Sequence, residues 1–166
     1  MTRKPLLIDI ATRNRAWKTA PFNAETVARR AARMAWREAG NSTRETEVSI
    51  MLGDDAMVRE LNGTYRGQDK PTNVLSFPAD GENGPPDAVS LLGDIVLAYE
   101  TIAREASEQN KNLSDHLSHL CVHGLLHLLG HDHQTSVDAR KMEALEISIL
   151  AELGIADPFI ISAPEV

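Results

Sequence analysis

The sequence predicts an α+β fold: a single domain over residues 1–166, in which a small mixed sheet of about four strands packs with about five helices. Three observations lead there. The length, 166 residues, suits one domain with a real core. Hydrophobic residues make up 42% and charged residues 25%, an ordinary soluble globular balance. Stretches of two-residue apolar period are interspersed with stretches of helical period, in the order β-α-β-α-β-β-α-α-α.

The elements follow in turn. "PLLIDIA" reads as a strand. "NAETVARRAARMAWREAG" reads as a helix capped by Asn23 and stopped by Gly40, with an apolar stripe of Val27, Ala31, Met34, Ala35 and Ala39. "TEVSIMLG" alternates and reads as a strand. "DDAMVRELNGTYRG" opens on capping aspartates and becomes a short helix with Met57, Val58 and Leu61 inward. "TNVLSFP" is a strand closed by Pro78, and residues 79–90 form the one clear loop, dense in Gly, Pro and acid. "LLGDIVLAYE" is apolar enough for a central strand. Helices follow over roughly 98–110, over 113–129, and over "SVDARKMEALEISILAELG", with a stripe at Val137, Met142, Leu145, Ile149 and Leu153. There is no repeat and no linker.

The formal net charge is −7, which argues against a general affinity for nucleic acid. The charge is unevenly placed. Residues 1–37 hold nine Lys/Arg against two Asp/Glu, and the rest of the chain is strongly acidic. Arg29, Arg33 and Arg37 share one side of the first long helix. Beside an active cleft they would steer a phosphate backbone; facing away they are a solvated surface. The single cysteine, Cys121, lies between Leu120 and Val122 and reads as a buried apolar residue. No internal disulfide can form, which fits a reducing cytoplasm. The basic start has an apolar stretch broken by Asp9, too short for a signal peptide or a membrane span.

Chemistry concentrates in "HGLLHLLGHDH", residues 123–133, which holds four of the six histidines. On a helix, His123 and His127 fall on one face, one turn apart. Gly130 ends the helix and lets His133 return toward the same point. Three imidazoles leave a fourth tetrahedral position open, as in catalytic zinc sites. One zinc ion per chain is the expected cofactor, and nickel, copper and iron also accept imidazole. His131 falls beyond the stop and points elsewhere. His116 and His119 lie on the same helical face as His123, either as outer groups or as surface residues. Asp132 either orients a ligand imidazole or serves the turn. The histidine spacing matches the long zinc-peptidase signature, but Gly124 stands where that signature has its glutamate base.

"LNGTYRGQDKPTNVLSFP", residues 61–78, sets Arg66 near Lys70 and Asn73. Arg66 is a fork-shaped donor suited to phosphate. Taken with "HGLLHLLGHDH" and "LLGDIVLAYE", in this order, the chain resembles the YbeY family of metal-dependent endoribonucleases over roughly residues 45–157. The resemblance implies His123, His127 and His133 as metal ligands and Arg66 as the functional arginine. It also implies single-stranded RNA as substrate, maturation of the small-subunit ribosomal RNA 3′ end, disposal of defective ribosomes, and ribosomal partners. Lys70, Asn73 and His119 are the candidates for contact with substrate. The family usually has tyrosine where this chain has His131. The other readings are a zinc peptidase with a base such as Glu143, and a ribosome-associated factor whose metal is structural.

Overall fold

A computed structural model describes residues 3–80, 85 and 87–160. Residues 81–84 and 86 of the expected loop lie outside this range. Four strands, β1 (Leu7–Thr12), β2 (Thr46–Gly53), β3 (Val74–Pro78) and β4 (Ser90–Ala98), form one mixed sheet in the order β1-β2-β4-β3. β1 and β4 run parallel to β2 on its two sides, and β3 runs antiparallel to β4. The apolar β4 is therefore interior, as its composition predicts.

Among the described residues six helices accompany the strands: α1 (Arg15–Thr19), α2 (Ala24–Ala39), α3 (Asp55–Arg66), α4 (Tyr99–Glu108), α5 (Leu113–Leu128) and α6 (Ser136–Glu152). One more helix is present than the sequence suggested. α1 is a five-residue turn, too short for a period to show, and it exists because Asn14 caps it and Trp17 is buried below it. Tyr99 and Glu100, where the expected strand and the expected helix from about 98 overlap, open α4.

Alternation along β4 assigns the two faces of the sheet. Ile95 and Leu97 enter the main core with α2, α5 and α6, while Val96 and Ala98 join a smaller cluster with Val58 of α3. α2 packs on α5 through small side chains, Ala28, Ala31, Ala32 and Ala35, all with no exposed surface. Trp36 completes that face, and Val27, Met34 and Ala39 lie at its edge. On α6 the expected stripe is corrected at one end: Val137 is 54% exposed, since its turn lies beyond the core. Met142 and Ile149 are fully buried.

α5 is the element that matters most for function. It is capped by Asn112, whose side chain accepts from Asp115 N. It ends where Gly130 adopts φ +99° and the His131 N–H bonds back to Leu126 O at 3.0 Å. This left-handed turn satisfies the last carbonyls and reverses the chain. No helix of the described residues is long and apolar enough to cross a membrane.

Candidate metal centre and its cleft

The turn at Gly130 brings His133 back onto α5. Its ring stacks on His123 with centroids 4.9 Å apart and stands edge-on to His127 at 4.8 Å. One ligand atom from each of His123, His127 and His133 lies within 4.8 Å of the others. The Nε2 atoms of His123 and His127 are 3.1 Å apart. A tetrahedral zinc ion with nitrogen donors at ~2.05 Å sets those donors about 3.3 Å from one another, so the spacing fits. The protonation state fits too. Burial, with His123 and His133 alongside, pushes the His127 imidazole down to about 4, so it is neutral at physiological pH, as a metal ligand must be.

The orientation of His123 has a cause that the sequence reading missed. Glu146, on α6, is 1% exposed. One of its carboxylate oxygens takes the Nδ1 side of His123, and the other meets His119 Nε2 at 3.1 Å. With Nδ1 occupied, Nε2 of His123 faces His127. Burial alone would raise the Glu146 carboxyl, but the hydrogen bonds from His119 and His123 outweigh it and hold it at about 2. The signal was available: Glu146 falls on the Met142–Ile149 face of α6, where a carboxylate has no place unless it is paired.

Gly124 points the opposite way. A Cβ there would stand 3.0 Å from Ile95 Cγ2 and 3.1 Å from Ser76 Oγ. Position 124 therefore faces the sheet, and the chain has no room for the glutamate of the peptidase signature. Ser76 uses this closeness: its Oγ donates to Gly124 O at 3.1 Å, and its own carbonyl accepts from Arg66 Nη2 at 2.8 Å. Arg66, the last residue of α3, also lies over the Phe77 ring at 5.5 Å. It is thus tied to the ligand helix through a single residue, but it does not line the cleft beside the histidines.

That cleft, about 520 Å³, runs from His123 and His133 along α5 past His119 to His116. Asn73 lines it and donates to Glu105, which also receives His116 Nε2 at 3.0 Å. His116 is buried rather than a surface residue. Lys70 is exposed and outside the cleft; its carbonyl accepts from Asn62. Asp132 accepts from Gln134 N, as a turn residue does. No residue of α2 lines the cleft, and Arg29 is tied to Ile8 O. Cys121 is fully buried, and burial pushes its thiol up to about 12.

The model of the family described as "Endoribonuclease YbeY" matches residues 9–154. The chain belongs to the YbeY endoribonuclease family. Among curated YbeY relatives, that of Parvibaculum lavamentivorans is 60% identical over 142 residues, covering 81% of this chain and 76% of the relative. That of Bradyrhizobium diazoefficiens is 53% identical over 146 residues, covering 86% and 79%. Both carry the name Endoribonuclease YbeY. The fold is shared with the solution structure of TM1509 from Thermotoga maritima, with a TM-score of 0.54, 24% identity, and coverage of 93% of this chain and 99% of that one. His131 is outside the three-histidine cluster.

Proposed function

We propose that the chain is a metal-dependent endoribonuclease specific for single-stranded RNA. It acts in the cytoplasm on ribosomal RNA, at the 3′ end of the small-subunit RNA, and in ribosome quality control, with ribosomal partners. His123, His127 and His133 hold one divalent ion, zinc by donor chemistry. The observation that carries this reading is the convergence of three imidazoles, one of them backed by the buried Glu146 carboxylate. Such an ion supplies Lewis-acid activation of the attacking oxygen and neutralises charge on the phosphoryl group.

The chain's own residues do the rest. Glu146, itself held by His119, fixes the ring of His123, so binding requires little reordering. Arg66, anchored by Ser76 through one guanidinium nitrogen, offers its other donors to a phosphate and stabilises negative charge as it develops. Lys70 lies on the same exposed segment and adds a second cation for the strand. Asn73 and His119 line the substrate cleft.

The test incubates metal-loaded protein with single-stranded RNA, duplex RNA and casein, beside a His123→Ala control. Cleavage of the single strand alone, lost in the variant, is expected. Casein cleavage or activity in His123→Ala overturns the reading. Analysis of the cleaved ends bears on the nucleophile: a 2′,3′-cyclic phosphate marks attack by the RNA's own 2′-hydroxyl, whereas direct hydrolysis passes through no cyclic intermediate.

A further inference from the structure

The cleft extends well beyond the three histidines, and its far arm differs in character from the metal end. Its floor is α5, where His116, His119, Leu120 and His123 follow one another on a single helical face. Its outer wall is the segment after α6, Pro158 to Ile160. That segment is held in place. Lys111 Nζ donates to Pro158 O at 2.6 Å, and Phe159 N donates to Asp157 Oδ1 at 2.8 Å. The result is an aromatic ring fixed at the cleft edge and 42% exposed, its ring standing edge-on to His119 at 5.4 Å. A large apolar ring held there by polar tethers, and not drawn into the core, is placed to cover or be covered by something flat.

The charges in this arm say what that is not. Glu105, Glu108 and Glu143 line the cleft against a single lysine among the described residues, Lys111, whose ammonium donates to Pro158 O and lies in the field of Glu105 and Asp157. A phosphate would meet carboxylates. A nucleobase is neutral, has two π-faces for Phe159, and carries edge amino and carbonyl groups that Gln109 and the carboxylates can meet.

We infer that the arm of the cleft between α5 and Phe159 is a nucleobase subsite, which receives one unpaired base of the RNA strand next to the bond cut at the histidine centre. This rests on reading that centre as the site of RNA cleavage. It supplies a physical source for single-strand specificity. A base enters a concave arm only when it is splayed out of its stack, and a paired base is not free to do so. The phosphates that flank the cut bond stay out of this arm, and Arg66 and Lys70 lie outside the cleft.

The experiment scans one abasic nucleotide through a single-stranded oligoribonucleotide and compares the parent with Phe159→Ala and Phe159→Trp. Phe159 is outside the core, so thermal melting and zinc content should match the parent. In the parent, an abasic residue at one position beside the cut should lower cleavage on the order of 10-fold, which equals ~1.4 kcal/mol of lost stacking. Phe159→Ala should lower cleavage of the intact strand by a similar factor and lose its sensitivity at that position. Phe159→Trp should keep both. Full cleavage by Phe159→Ala, with the abasic effect unchanged, overturns the subsite. Fluorescence anisotropy of intact and abasic strands on the metal-free protein repeats the comparison without catalysis. A parent that cleaves no RNA but loses affinity at one abasic position refutes the nuclease reading and leaves the subsite standing. One that binds both strands equally refutes the subsite.

Discussion

The hydroxyl of Ser76 donates to the carbonyl of Gly124 at 3.1 Å, where the histidine-bearing helix α5 packs against the sheet. This contact explains the glycine inside the histidine motif. Residue 124 has Ile95 and Ser76 against it, so any side chain there obliges one of them to give way, and a long one has no room.

Restoring the peptidase signature should therefore damage the fold and create no protease. Gly124→Glu forces a carboxylate into a buried contact without a partner, costing about 3 kcal/mol or more. A large fall in thermal stability and no casein cleavage are expected. A stable variant that cleaves casein would show that position 124 opens toward the cleft.

Glu146 should matter to metal affinity more than its distance from the ion suggests. Glu146→Gln keeps the shape but removes the charge that holds His123 Nδ1. Loss of such an outer partner typically lowers metal affinity roughly 10–100-fold. Zinc competition against a chromophoric chelator measures it. Unchanged affinity in a folded Glu146→Gln protein would remove its orienting role.

The metal-free protein should lose stability in acid, starting at mild pH. The unfolded chain takes up the His127 proton near its ordinary 6.5, whereas the folded chain does so near 4. Between these values the unfolded form binds more protons, so falling pH favours unfolding. His116, pushed down by burial against the pull of Glu105, acts in the same direction. Glu146 continues the loss from its ordinary 4.5 down to about 2. Melting midpoints from pH 7.5 to 4 should decline below about 6.5, and less steeply in His127→Asn. Parallel curves would contradict this assignment.

Arg66 should serve the reaction more than the fold. Arg66→Ala loses one bond to Ser76 and a contact over Phe77, which together cost about 1 kcal/mol. For a chain of this size that is about 2–4 °C in Tm. RNA cleavage should fall strongly at full zinc content. Normal cleavage, or an unfolded variant, would refute the role.

Much of this was legible in the sequence because the decisive features are local. The spacing of His123 and His127 is a property of one helix, and the return of His133 is a property of the turn at Gly130. The interior place of β4 follows from its largely apolar composition, Leu91 and Leu92 and then Ile95 to Ala98. Long-range pairings were harder. Glu146 touches His123 only because α6 folds back over α5, and 23 positions separate the two in the chain. The place of α2 away from the cleft depends on which face of the sheet it covers, and charge pattern alone does not set that. The arginines at 29, 33 and 37 were readable as a basic side, but the pattern did not say whether that side lines the cleft, and no residue of α2 does.

The central claim is that His123, His127 and His133 hold the ion on which RNA cleavage depends. Titration of metal-free protein with zinc, read as cleavage of single-stranded RNA, tests it most directly. Activity should rise in proportion to zinc, level off at one ion per chain, and remain absent at every zinc concentration in His123→Ala. Full cleavage by the metal-free protein, or an unchanged titration in His123→Ala, would contradict the claim.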